Sequence, residues 1–169
     1  MEKMRFQPKK KRFKKIVLWM MTVICFITIF ILSSQPAENS NSLSKGIVDK
    51  SSEVARQIAP SASETPLAKK IFTNKFFREA AHVIIFSFLA LFLTLSLREQ
   101  QVKLSFVLSG LICVLYAILD EAYQSYFIVG RDFEFVDLIK DWCGSIIVVL
   151  IVATAVHIAE NMKRKKKEA

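Results

Sequence analysis

Four long apolar runs dominate the chain: Ile16–Leu32, Ala80–Leu97, Leu104–Leu119 and Trp142–Ala159. A bilayer core takes roughly 20 helical residues to cross. The first, second and fourth runs meet that length with a flanking residue or two. The third is short, and reaches it only if Asp120 and Glu121 sit near the interface. Helices satisfy their own backbone in lipid, so the runs predict spans over about 16–35, 78–97, 104–124 and 138–159. The expected fold is all-α, a polytopic membrane protein with four transmembrane helices around a membrane domain at 16–159. Residues 1–15 followed by the first run also have the outline of a signal peptide. That run exceeds a usual h-region and no A-x-A site follows it, so it is read as a retained helix.

Between the first two runs lies the one long polar stretch, 37–79, and it carries its own periodicity. Leu43, Ile47, Val54 and Ile58 recur at helical spacing, with Pro60 placed to end that helix. A second piece, Leu67–Phe77, sets Leu67, Ile71, Phe72 and Phe76 beside Lys69, Lys70 and Lys75. Both predict amphipathic helices in an external loop, lying at the interface or over the mouth of the bundle, joined by a linker at Ser61–Pro66. No internal repeat is evident.

The net charge of +9 over 169 residues is concentrated in three places. Residues 1–15 hold Lys3, Arg5, Lys9, Lys10, Lys11, Arg12, Lys14 and Lys15; the tail 160–169 holds Lys163 to Lys167; the turn 98–103 adds Arg98 and Lys103. Basic flanks stay cytoplasmic, which puts both termini and this turn inside and the long loop outside, as an even number of spans requires. Lys69, Lys70, Lys75 and Arg78 run against the rule locally. Basic tails at a membrane favour anionic lipids, so membrane lipids and no nucleic acid are the expected partners. Cys25, Cys113 and Cys143 are dispersed in apolar surroundings, without disulfide or metal-ligand spacing, and read as packing residues.

That topology brings the uncommon polar groups to one level, the external ends of their helices. The first helix ends in Ser33-Ser34-Gln35-Pro36, where proline alone explains a stop. The second opens with Arg78-Glu79-Ala80-Ala81-His82, whose spacings let Arg78 or Glu79 meet His82 on one helix face. At the close of the third, Asp120, Glu121 and Gln124 are spaced so that the amide reaches either carboxylate. Gly130-Arg131 reads as a turn presenting a cationic fork suited to carboxylate or phosphate. Asp137 and Asp141 lead into the fourth helix, where a helix dipole favours acids anyway. His157, at the opposite end, reads as interfacial. Ionisable groups at this depth are costly unless paired, so a shared polar site is expected.

The set resembles the VanZ-like family of bacterial membrane proteins. Ser33-Ser34-Gln35-Pro36, Arg78-x-x-x-His82, Asp120-Glu121-x-x-Gln124, Gly130-Arg131 and Asp137-x-x-x-Asp141-x-x-Gly144 carry the resemblance, in order and at one depth. It implies a bacterial cytoplasmic membrane location and a cell-envelope role, since the family's named member is linked to resistance to teicoplanin-type glycopeptides. Tyr123 stands where the family often has His, and Val129 where Pro often precedes Gly-Arg, which weighs against any catalytic scheme built on that imidazole.

Two functions compete. In the first, an outward-facing pocket of Ser33, Ser34, Gln35, Arg78, His82, Asp120, Glu121, Gln124, Arg131, Asp137 and Asp141 binds a lipid-linked or cell-wall precursor group. In the second, a membrane-embedded enzyme modifies a lipid or precursor headgroup, with His82, Asp120 and Glu121 as acid–base candidates and Arg131 holding developing negative charge. Asp120, Glu121, Asp137 and Asp141 are oxygen donors of the kind a hard divalent cation takes. No H-E-x-x-H, G-x-S-x-G or Walker loop is present, and no cofactor is expected. A transporter is disfavoured because none of the runs carries a charge in its middle. The topology has a direct test: a cysteine at Ser61 should react with a membrane-impermeant maleimide in intact cells, and protection until lysis reverses the orientation.

Overall fold

The computed structural model describes residues 9–58, 65, 73–131 and 133–168, and among them five helices and no strand. They are α1 (Lys9–Ser33), α2 (Ala37–Ile58), α3 (Asn74–Glu99), α4 (Ser105–Phe127) and α5 (Phe135–Glu168). All but α2 are long and apolar enough to cross a membrane. The chain is an all-α polytopic membrane protein, with α2 in the long loop between the first two spans.

The helices overrun their apolar runs. α1 begins within the basic segment and α5 continues to Glu168, so much of what reads as tail is helical. Lys and Arg are good helix formers, and their long stems lie along a helix while the charge reaches water. Lys14 Nζ meets Glu99 Oε2 at 2.9 Å, and Arg98 Nη2 meets Glu160 Oε1 at 3.3 Å. These pairs gather the start of α1, the end of α3 and the late part of α5 at one basic end of the bundle. At the other end, α3 starts one turn earlier than Arg78. The Thr73 hydroxyl caps it by accepting from Phe76 N at 3.2 Å. The loop helix expected over Leu67–Phe77 thus ends as the first turn of α3, and its earlier part and, apart from Thr65, the linker Ser61–Pro66 lie outside the described residues.

α3 is the hub, packing against each of the other four helices. Its inward face of Phe86, Leu89, Ala90, Leu93 and Leu97 meets Cys25 and Ile29 of α1, Cys113 and Ala117 of α4, and Val149 of α5. Small hydroxyl residues stitch the interfaces: Thr22 to Ser96 at 3.2 Å, Thr94 to Ser109 at 2.7 Å, and Ser145 to the Phe86 carbonyl at 3.4 Å. Lipid supplies little drive for apolar helices to associate, so small residues and internal hydrogen bonds carry much of the specificity. The exposed surface is the reverse of a water-soluble protein's. Ile27, Phe88, Leu111, Leu115, Ile147 and Ile151 all face outward, an apolar belt suited to lipid. Cys25 and Cys113 are buried as expected of packing residues, whereas Cys143 is exposed on α5.

The turn between α3 and α4 is a Schellman motif. Gln101, at φ 62°, donates its amide to the Arg98 carbonyl at 2.8 Å, and Val102 donates to the Leu97 carbonyl at 3.1 Å. Val102 then packs against the core, fixing the reversal that aims α4 back toward the polar end.

Gly144 sets the α3–α5 approach. A Cβ there would sit 2.8 Å from Val83 Cγ1 and 3.3 Å from the Val83 carbonyl oxygen. Gly144→Ala should therefore cost about 1–3 kcal/mol through overpacking, read by thermal unfolding of the purified protein in detergent. Gly110, with nothing within 4 Å of its added Cβ, is the control; equal losses in Gly144→Ala and Gly110→Ala would sink the close-approach account.

Candidate functional site

Four helices and one turn deliver polar side chains to the end of the bundle opposite its basic termini. α1 brings Ser33 in its last turn. α3 brings Arg78, Glu79 and His82 within its first three turns. Because α4 stays helical to Phe127, it carries Asp120, Glu121 and Gln124 past its apolar run. α5 brings Asp137, Lys140 and Asp141, and the intervening turn brings Arg131. Ser33, His82, Asp120, Glu121, Gln124 and Asp141 are each no more than 8% exposed, so their polar atoms depend on one another.

Gln124 is the junction. Its Nε2 donates to Asp120 Oδ2 at 2.7 Å and to Ser33 Oγ at 3.3 Å, while its Oε1 accepts from Arg131 Nη1. One neutral amide thus links α1, both ends of the α4 polar turn and the following loop. Glu121 takes a different role, accepting the backbone N–H of Glu134 at 2.6 Å. That bond holds the loop against the end of α4, helped by the turn that Gly130 makes at φ 77°. Glu79, three residues before His82, instead pairs with Lys140 at 2.7 Å and Lys75 at 3.8 Å, and Lys140 also meets Asp137 at 2.9 Å. His82 Nδ1 lies 3.9 Å from both Asp120 Oδ2 and Asp141 Oδ2. It stands between two carboxylates from two helices, at ion-pair range but beyond a direct hydrogen bond.

These groups surround a cavity of ≈ 30 Å³ lined by Arg78, Glu79, His82, Glu121, Gln124, Arg131, Asp137, Lys140 and Asp141. A water needs about 10–15 Å³ measured in this way, so the cavity admits a small terminal group rather than a whole large ligand. Most carboxylates lining or bordering it have partners: Glu79 and Asp137 hold Lys140, Asp120 behind the wall holds Gln124, and Glu121 holds the loop. Arg131 differs. Its Nε and Nη2 are buried and, among the described residues, have no hydrogen-bond partner. These two nitrogens form one edge of the guanidinium, the edge that binds a carboxylate or phosphate through two parallel bonds. Burial, and next the charge of Arg78, push the Arg131 pKa down, while Asp120, Glu121 and Asp137 push it back up. A guanidinium starts high enough to stay charged.

The chain matches the VanZ/LLP1 family model over residues 17–156. It belongs to the VanZ/LLP1 family. No curated protein and no solved structure matches it. In this VanZ/LLP1 protein, most residues expected from the sequence share the cavity or its immediate network, with two set apart. Ser34 bonds back to the Phe30 carbonyl at 2.7 Å and approaches the Tyr123 hydroxyl at 3.5 Å. Gln35 lines a neighbouring apolar groove. Tyr123 packs between Phe30 and Phe127, each at 5.4 Å between ring centroids, and is not among the cavity-lining residues, so a histidine's absence there takes nothing from the cavity wall. Lys140 escaped the sequence reading, although its place three residues after Asp137 was a usable signal. Among the described residues, no three His, Cys, Asp or Glu side chains are grouped to hold a metal ion. Asp120 bonds Gln124, Glu121 the Glu134 N–H and Asp137 the Lys140 ammonium, while Asp141 lies 3.9 Å from His82.

The network predicts an order of stabilities. Gln124→Leu leaves Asp120 short of a donor and Arg131 short of an acceptor, and should cost about 3 kcal/mol. Ser33→Ala should cost about 1 kcal/mol, and Ser34→Ala almost nothing, because its hydroxyl returns to its own helix. Detergent-solubilised thermal unfolding of the three variants reads this order, and a Ser34 loss as large as that of Gln124 contradicts the assignment of the junction.

Proposed function

We propose that the polar cavity is an outward-facing site that binds an anionic group of a lipid-linked or cell-wall precursor, and that this binding underlies a role in protection from teicoplanin-type glycopeptides. The reading rests on the buried edge of Arg131, unpartnered among the described residues, in a cavity whose acids are mostly held by other groups. An uncompensated buried donor pair costs free energy that a bound carboxylate or phosphate would return. Gln124, fixed by Asp120 and Ser33, holds the guanidinium in place from its opposite side, so the site is preorganised rather than assembled by its ligand. The outward orientation follows from the basic segments 1–15, 98–103 and 160–169, which favour the cytoplasmic side. Family membership supports the envelope role.

A second reading is favoured by one observation, the position of His82 between Asp120 and Asp141 on the wall of the same cavity. A histidine flanked by carboxylates beside an anion-binding guanidinium has the components of a general acid–base pair with an electrostatic clamp. In that case the bound headgroup would be chemically altered.

Arg131→Ala should abolish glycopeptide protection in cells while leaving the amount of protein in the membrane normal. Arg131→Lys keeps the charge but loses the fork, and should retain no more than about a tenth of the binding. A parallel fall in abundance would make the cluster a folding device and end the binding reading. Mass analysis of envelope lipids and precursors separates the two functions: a species that appears or disappears with the protein, and reverts in His82→Ala, establishes the enzyme.

A further inference from the structure

Beside the polar cavity runs an apolar groove of ≈ 410 Å³. Leu32 at the end of α1, Ile47 of α2, and Phe76, Phe77, Ala81 and Ile84 on α3 form most of its wall. Arg78 and His82 line both spaces, so the apolar groove and the polar cavity meet along one turn of α3. We propose that the ligand of this site is a long-chain lipid phosphate, with its phosphate in the cavity at Arg131 and its hydrocarbon chain in the groove between α1, α2 and α3; this rests on the anion-binding reading above.

Three observations carry the assignment. First, the cavity is too small for more than a terminal group, so the rest of any ligand must leave it, and the groove is an adjoining space with apolar walls. Second, the charge fits. Arg78 and Arg131 both line the cavity, so two guanidinium groups are placed to take one group of more than one negative charge. A phosphate monoester meets that demand better than a single carboxylate. Third, α2 places Ile47 on the groove while Ile47, Val54 and Ile58 remain more than half exposed, the pattern of a helix lying in the membrane interface. The groove therefore opens at the depth where a lipid's phosphate meets its chain.

The role of the groove is geometric. A chain that moves from bilayer to groove exchanges one apolar environment for another and gains little from burial. What the groove supplies is room, without which a lipid headgroup cannot reach Arg131. The small side chain of Ala81 helps keep that room open.

The test uses the full chain in phosphatidylcholine nanodiscs with two probes, a phosphatidic acid carrying a diazirine in one acyl chain and water-soluble butyl phosphate. Cross-links should fall on peptides containing Ile47, Phe76 or Phe77. Ala81→Trp should weaken the phosphatidic acid at least tenfold and leave butyl phosphate unchanged, whereas Arg131→Gln should weaken both. Cross-links spread over the lipid-facing surface, with butyl phosphate binding still dependent on Arg131, overturn the groove and keep the anion site. Binding of neither probe, or binding indifferent to Arg131, overturns the anion site and the groove together. If Ala81→Trp does not fold, the cross-link map of the unaltered protein decides between these outcomes.

Discussion

Carboxylates and a guanidinium cannot be buried at the edge of a lipid-embedded bundle unless each finds a partner. The polar end of this protein is organised by that demand. Gln124 meets it at the centre, because an amide donates to Asp120 and Ser33 and accepts from Arg131 without adding a charge of its own. Glu121 meets it by holding a backbone N–H, Glu79 and Asp137 by sharing Lys140. Among the described residues the Nε and Nη2 edge of Arg131 is left over, and there the cavity becomes chemically open.

Such a cluster requires helices from distant parts of the chain to stop at a common level. α3 supplies the frame by contacting every other helix, and its hydroxyl partners on α1 and α4 fix depth through short hydrogen bonds. Gly144 lets α5 approach α3 closely beside Val83 and Ser87, one turn below Asp141. The same residue that closes the packing therefore sets how near Asp141 comes to His82. The Schellman turn at Gln101 and Val102 does comparable work at the basic end, returning α4 so that Asp120 faces α3. Packing and site are consequently not separable here.

Much of this could be read directly from the chain. Four apolar runs fixed the class and the number of spans, because only helices cross lipid with their backbone satisfied. Basic segments flanking alternate ends placed the scarce acids, amides and His82 at one level. Local spacing put Gln124 within reach of both Asp120 and Glu121, and the folded chain pairs it with Asp120. The same rule failed for Glu79 and His82, because Lys140 on another helix offers Glu79 an opposite charge at shorter range. It also gave no way to separate Ser33 from Ser34 and Gln35. Ser33, the last residue of α1, turns toward Gln124, while beyond the helix end Ser34 bonds back to the Phe30 carbonyl and Gln35 lines the groove. Which direction is inward depends on where α3 and α4 lie.

The sequence by itself determined the architecture, the levels at which polar groups occur and the family pattern. These follow from length, hydropathy and local spacing, which are properties of contiguous residues. Tertiary structure alone decided the partners: His82 between Asp120 and Asp141, Glu121 on the loop, Lys140 between two acids, and an apolar groove opening beside Arg78. Those depend on the rotation and separation of helices far apart in the chain. Packing fixes both, through Gly144 and the buried hydroxyl pairs, and no run of neighbouring residues encodes them.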